Sequence, residues 1–230
     1  MKTVAIVQSS YIPWKGYFDL IGLVDEFILF DDCQYTKRDW RNRNKIKSNN
    51  GALWLSIPVE VKGKYFQKIC ETKTMDDAWV EKHWKTLKTH YGKARFFSES
   101  AHFIEDLYAG ISSERYLSRI NHHFIKGICK YLSIDTKISL SMDYGVINGK
   151  TERLIDLCEK AGASRYLSGP AAKAYIEEEK FIKAGIELLY MTYTGYPEYE
   201  QAYPPFDHHV SIVDLIFNTG ESAKNYMLSG

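Results

Sequence analysis

The chain has 230 residues, 45% hydrophobic and 26% charged, and 30 Lys and Arg against 29 Asp and Glu leave a formal net charge of +1. A chain of this length buries roughly 70% of its surface around one core, so folding needs no metal or disulfide staple. The balanced charge excludes a histone-like coat for nucleic acid, and the modest Gly and Pro content excludes collagen and disorder. The unusual quantity is aromatic, with 11 Phe, 5 Trp and 17 Tyr. Tyr in that number points to amphipathic surfaces that meet a polar partner.

The cysteines Cys33, Cys70, Cys129 and Cys158 show no CxxC pair and no regular spacing, and read as free thiols of a reducing cytoplasm. The apolar run after Met1-Lys2 stops at Gln8-Ser9, too short for a signal peptide, and no window approaches the roughly 18 apolar residues of a membrane span. The expected protein is soluble and cytoplasmic.

In chain order, residues 3 to 7 form a β-branched apolar run of the kind found in a strand buried on both faces. Pro13 then opens a helix with Phe18 and Ile21 at helical spacing, and Phe27 to Phe30 is the next strand. Together these make a βαβ unit with a right-handed crossover. Residues 34 to 50 read as a polar, basic loop, Ala52 to Val59 as a strand, and Tyr65 to Ile69 as a segment that pairs nearby. A helical block runs from 76 to 132, with Trp79, His83 or Trp84, Leu87 and Tyr91 on one stripe and Gly92 and Gly110 as punctuation. Strands follow at Lys137–Leu140, Arg165–Ser168 and Ile186–Tyr190. Helices are expected from Thr151, as a cap, to Ala161, from Gly169-Pro170 to Lys183, and over Ser211–Asn218. The pattern predicts one α/β domain over 1–230, a Rossmann-like, mostly parallel sheet flanked by helices, with 76–132 inserted into it.

Open α/β sheets bind ligands at the carboxyl ends of their strands. That rule selects three loops. The first, Gln8 to Gly16, places Gln8, Tyr11 and Trp14 before a helix N-terminus suited to an anion. The second, Asp31 to Lys47, sets Lys37, Arg38, Arg41, Arg43, Lys45 and Lys47 against Asp39, a net of +5 in eleven residues, beside Gln34, Tyr35 and Trp40. Arg forks there suit phosphate or carboxylate, and the rings suit a base or sugar. The patch is too short, and the whole chain too neutral, to favour nucleic acid as a partner. The third, Tyr166 to Tyr175, offers Ser168, Gly169 and Lys173 at a strand end.

The carboxyl end is acidic: Glu187, Glu198, Glu200, Asp207, Asp214 and Glu221 face only Lys224. Its His208 and His209 are candidate general bases near neutral pH. Adjacent histidines point apart in regular backbone, so no metal site is expected. Asp214, three residues past Ser211, fits a capping-box turn as well as a catalytic role.

Four segments resemble the WbqC-like family: Gln8-x-x-Tyr11-Ile12-Pro13-Trp14-x-Gly16-Tyr17-Phe18, Phe30-x-Asp32 through Arg41-Asn42-Arg43-Asn44-Lys45-Ile46, Tyr166 to Pro170, and Ser211 to Gly220. Where that family opens with Gln-Pro, this chain has Gln8-Ser9. The resemblance implies a role beside bacterial surface-polysaccharide and O-antigen synthesis. There amino sugars on nucleotide carriers are N-acylated or N-aminoacylated, glycine being one suggested group. It implies a transferase with a nucleotide sugar as substrate. Lys37, Arg38, Arg43 and Lys45 would then hold phosphate, Gln8 and Tyr11 would orient the acceptor, and His208 or His209 would act as base. Backbone N–H groups beside Ser168 and Gly169 would serve as oxyanion donors. The alternatives are a nucleotidylyltransferase-like enzyme that activates an acid with ATP and a non-catalytic binding protein of a glycan assembly complex. The cofactor, ATP or an activated acyl donor, and the oligomeric state stay open.

Overall fold

The computed structural model describes residues 1–145, 147 and 149–229. Its elements are β1 (Thr3–Val7), α1 (Lys15–Gly22), β2 (Glu26–Leu29), β3 (Arg43–Ser48), β4 (Gly51–Ser56), α2 (Ala78–Tyr91), α3 (Phe97–Ala109) and α4 (Leu117–Tyr131). After these come β5 (Lys137–Leu140), α5 (Thr151–Lys160), β6 (Arg165–Ser168), α6 (Glu178–Lys183), β7 (Glu187–Tyr190) and α7 (Ile212–Thr219). The class is α/β. Five strands lie in the order β5-β2-β1-β6-β7, every pair parallel, while β3 and β4 form a separate antiparallel hairpin.

The apolar runs of β1 and β2 follow from cover on both faces. Ala5, Phe27 and Leu29 enter a large core with α1, α4 and α7, whereas Val4, Ile6 and Ile28 meet Leu154, Leu157 and Phe181 of α5 and α6. From β1 the chain steps outward to β2 and β5, then crosses to β6 and β7 on the other side. The crevice of the topological switch therefore opens between the carboxyl ends of β1 and β6.

The block between β4 and β5 is three amphipathic helices, with Trp79, His83, Trp84, Leu87 and Tyr91 of α2 turned inward and Gly92 and Gly110 just past α2 and α3. Among the described residues no helix is long and apolar enough to cross a membrane.

Three local expectations are corrected, and a fourth, the nearby pairing of Tyr65 to Ile69, is met by a single bridge. Residues 43 to 48, expected as loop, are β3. Their inward positions hold Asn44 and Ser48, which bond backbone, so a polar residue stands where alternation would show an apolar one. The helix expected from 170 to 183 is interrupted: a 3-10 turn covers Pro170–Ala174 and α6 begins only at Glu178. Thr151 does not cap α5, for its hydroxyl accepts the N–H of Glu177 at 3.3 Å and holds that interruption in place. Tyr65 to Ile69 forms no strand and pairs only through a Gln34–Lys68 bridge.

Glu26 is the polar tie of the sheet. Fully buried at the start of β2, it accepts from Lys2 at 2.7 Å, Ser139 at 2.6 Å and Tyr144, and pairs with Lys137 at 2.9 Å. Burial pushes its carboxyl up, but those four donors together outweigh burial and hold it at about 2. A carboxylate depressed in the folded state stabilises the fold above its unfolded value and loses that contribution as pH falls toward the folded one. Urea unfolding between pH 5 and pH 2 should therefore show Glu26→Gln losing a pH-dependent contribution on the order of 3 kcal/mol. Parallel curves for the two proteins would refute this role.

Candidate functional site

At the β1–β6 crevice lies a cavity of about 700 Å³ lined by Gln8, Trp14, Tyr17, Cys33, Arg41, Lys150, Arg153, Ser168, Gly169, Tyr175 and Tyr193. Of the residues selected from sequence, Gln8, Trp14, Ser168 and Gly169 meet here. The loop that carries the first two, residues 8 to 14, is held from the basic segment. Arg41 Nη1 donates to the carbonyls of Gln8 and Ser9, each at 2.9 Å, and to Ser10 Oγ at 3.2 Å. Asn44 Nδ2 donates to the carbonyls of Tyr11 at 3.1 Å and Ile12 at 2.8 Å, Tyr11 N–H donates to Trp40 O at 3.0 Å, and Ser211 Oγ donates to Ile12 O at 2.7 Å. Ile12 needs this hold, because a β-branched residue at φ 34° is strained by about 1–3 kcal/mol. The buried Asp31 completes the clamp, accepting Ser9 N–H at 2.8 Å and the Ser118 hydroxyl.

The walls follow from local sequence. Gly16 carries no Cβ because one there would collide with the Trp14 indole, which packs against Tyr193 at 5.1 Å and stacks on His209 at 5.9 Å. Gly169 leaves open space: an added Cβ would meet only Tyr193 Oη at 3.9 Å. No side chain caps α1 at Trp14, and the start of that helix borders the cavity through Trp14 and Tyr17. Glu152, by contrast, folds onto the first turn of α5. That helix therefore supplies side chains, Lys150 exposed at the mouth and Arg153 ion-paired to Asp32 with its guanidinium over Phe30.

Lys150, Arg153, Tyr17, Tyr175 and Tyr193 escaped selection from sequence. The β5-to-α5 connection is a fourth strand-to-helix loop at the same sheet edge, and its Lys150 and Arg153 carried the signal.

Cys33 also lines the cavity. Its Sγ accepts Gln8 Nε2 at 2.8 Å and donates to Phe30 O at 2.9 Å, and burial pushes the thiol up to about 11. It is a neutral hydrogen-bonding group at pH 7, not a nucleophile.

The other selected residues lie elsewhere. Tyr11 is fully buried in the helical core, its hydroxyl 2.6 Å from Tyr108 Oη and 2.9 Å from His83 Nδ1, and burial lowers His83 to about 4. Gln34 donates to Tyr65 O at 2.9 Å. Lys37 and Arg38 are exposed, and Arg43 and Lys45 lie over the Trp54 ring at 4.1 and 5.3 Å. Lys173 sits over Tyr190 at 4.8 Å. His208 and His209 occupy the segment that passes behind Trp14, and burial together with Lys15 lowers His208. Asp214 is buried beneath them, accepting from Tyr91 and Tyr199 at 2.7 Å and Gln201 at 2.9 Å, and burial raises its carboxyl. Those donors draw it away from a capping box. Ser211 alone caps α7, accepting Val213 N–H at 3.4 Å, and its own N–H goes to Lys45 O.

Two outcomes follow. Asn44→Leu strips a donor from two buried carbonyls and should lower stability by about 2 kcal/mol and the melting temperature by several degrees; an unchanged melting temperature contradicts the clamp. Iodoacetamide at pH 7.5 should label Cys33 far more slowly than a free cysteine, as read by mass spectrometry, and rapid labelling would restore it as a nucleophile.

The WbqC-like protein family matches over residues 8–226. A protein of Mycobacterium tuberculosis (strain ATCC 25618 / H37Rv) named "Uncharacterized protein Rv1507c" is 47% identical over 227 residues, covering 99% of this chain and 98% of its own length. No solved structure matches the chain. The match spans the β1–α1 loop, the Arg41–Asn44 clamp that holds it and the β6 edge of the cavity, and the chain belongs to the WbqC-like protein family.

Proposed function

We propose that the chain is a transferase that forms an amide on an amino sugar carried by a nucleotide diphosphate, in bacterial surface-polysaccharide synthesis. One observation carries this reading: Arg41, Lys150 and Arg153 line a single cavity whose other walls are Trp14, Tyr17, Tyr175 and Tyr193. Cations suit a diphosphate, and aromatic walls suit a sugar or base.

In this reading the diphosphate sits against Lys150 and Arg153, and Gln8 and Ser168 orient the sugar. The sugar amine attacks the acyl carbonyl, the C–N bond forms as the bond to the leaving group breaks, and the amine proton passes to water at the cavity mouth, since His208 and His209 stand outside the cavity lining. The backbone at Gly169 offers a donor for the developing oxyanion. In this reading the amine attacks the acyl donor directly, and Cys33, hydrogen-bonded to Gln8 and to the Phe30 carbonyl, serves as a wall of the cavity.

Calorimetry with a nucleotide-diphosphate amino sugar tests the reading. Lys150→Ala, an exposed change, should weaken binding by about tenfold, a loss near 1.4 kcal/mol. Arg38→Ala with Arg43→Ala should leave it unchanged. The reverse pattern would move the diphosphate to the hairpin and overturn the assignment.

A further inference from the structure

The β3–β4 hairpin lies outside the parallel sheet, and its two edges differ. The β3 edge is covered: Lys45 O accepts Ser211 N–H at 2.8 Å, and Lys47 N–H donates to Tyr91 Oη at 2.9 Å. The β4 edge is open. Ile57 N–H donates to Asn42 O at 2.8 Å, and the same ladder sets Leu55 opposite Asn44, Leu53 opposite Ile46 and Gly51 opposite Ser48. In an antiparallel ladder the intervening residues turn their N–H and C=O groups outward. Those residues are Ala52, Trp54 and Ser56, all exposed; the Ser56 carbonyl accepts from the His83 ring of α2, which leaves Ala52 and Trp54 as the open stretch. They face a groove of about 590 Å³ between β4 and α2, with Trp79 and His83 in its floor and Asp76 and Lys82 on its walls. Trp79 is 3% exposed, and its Nε1 has no hydrogen-bond partner among the described residues.

The side chains above this edge are apolar and cationic. Leu53 and Trp54 are 37% and 38% exposed, and Trp40 packs on Trp54 at 5.4 Å. The Arg43 guanidinium and Lys45 ammonium reach across from β3 and lie over the Trp54 ring. Both heads therefore stand above β4, one strand spacing of about 4.8 Å from a strand that would pair with it. Among the described residues no carboxylate lies within 4.0 Å of Lys37, Arg38, Arg43 or Lys45. Asp39, the acid of this segment, is taken by Thr36 at 2.7 Å, by Trp40 N–H at 2.7 Å and by Arg41 at 3.8 Å.

We propose that the open edge of β4 is a docking site for an extended, acidic peptide segment of a partner protein, which adds as a strand. Its backbone pairs with Ala52 and Trp54, and it ends where His83 takes the Ser56 carbonyl. Its outward carboxylates meet Arg43 and Lys45, and its inward apolar side chains enter the groove over Trp79. An unpaired edge with exposed apolar residues is a template for strand addition, and the uncompensated cations select the sign of the incoming strand. They also disfavour a second copy of this chain, which would bring the same positive patch against itself. The surface is separate from the β1–β6 cavity, so the proposal stands independently of the transferase reading.

The test uses the full chain and two acetylated, amidated peptides, one alternating Glu with Val and the other Lys with Val. Binding is followed by Trp fluorescence and by amide shifts in NMR. The Glu peptide should bind about tenfold or more tightly than the Lys peptide, with the largest shifts at the amides of Ala52 and Trp54. Ala52→Pro removes only an outward N–H, a change that edge strands tolerate, and should weaken the Glu peptide while leaving circular dichroism unchanged. Arg43→Glu with Lys45→Glu should invert the preference. No binding of the Glu peptide, equal binding of both peptides, shifts confined to the β1–β6 cavity, or concentration-dependent dimerisation through β4 would each overturn the proposal.

Discussion

The geometry of the site depends on the hold that Arg41 and Asn44 exert on the loop after β1. That loop turns from strand to helix through buried carbonyls that water does not reach, and each left unpaired would cost about 1–3 kcal/mol. Arg41 takes the carbonyls of Gln8 and Ser9, and Asn44 takes those of Tyr11 and Ile12. The strained Ile12 is tolerated because both ends of the loop are fixed, and the fixed loop sets Gln8 and Trp14 into the crevice. Asn121 of α4 ties the clamp to the helices, donating to Ser9 Oγ and to the Arg41 carbonyl, each at 2.9 Å.

This clamp divides the charge of the basic segment. Arg41 and Lys47 turn inward, Lys47 to the carbonyl of Pro205, while Lys37, Arg38, Arg43 and Lys45 remain on the outer side around Trp54. A run that reads as one phosphate loop is therefore a structural half and a surface half. The cavity draws its other cations, Lys150 and Arg153, from a helix more than one hundred residues further along the chain. The near-zero net charge conceals two positive regions offset by an acidic carboxyl end.

Much of the fold was legible in the sequence because burial on both faces writes plain apolar runs, as in β1 and β2. The strand β3 was hidden by Asn44 and Ser48, polar residues that face inward to serve backbone groups. The break before α6 was hidden because a threonine hydroxyl distant in sequence makes it. The edge that carries the crevice was legible from the rule that ligands bind at the carboxyl ends of parallel strands, and Gln8, Trp14, Ser168 and Gly169 line the cavity there. Tyr11 was drawn in by the same motif, yet its ring points to the helical core, a direction that only three-dimensional packing decides. Lys150 and Arg153 were missed because one exposed lysine and one arginine in a first helical turn resemble any solvated face.

We propose the clamped crevice between β1 and β6 as the anion-binding centre. A crystal structure of the chain with a nucleotide-diphosphate amino sugar tests it most directly. Diphosphate density against Lys150 and Arg153, with a ring against Trp14 or Tyr193, is the expected result. Density on Lys37, Arg38, Arg43 and Lys45, with the crevice empty, would contradict it.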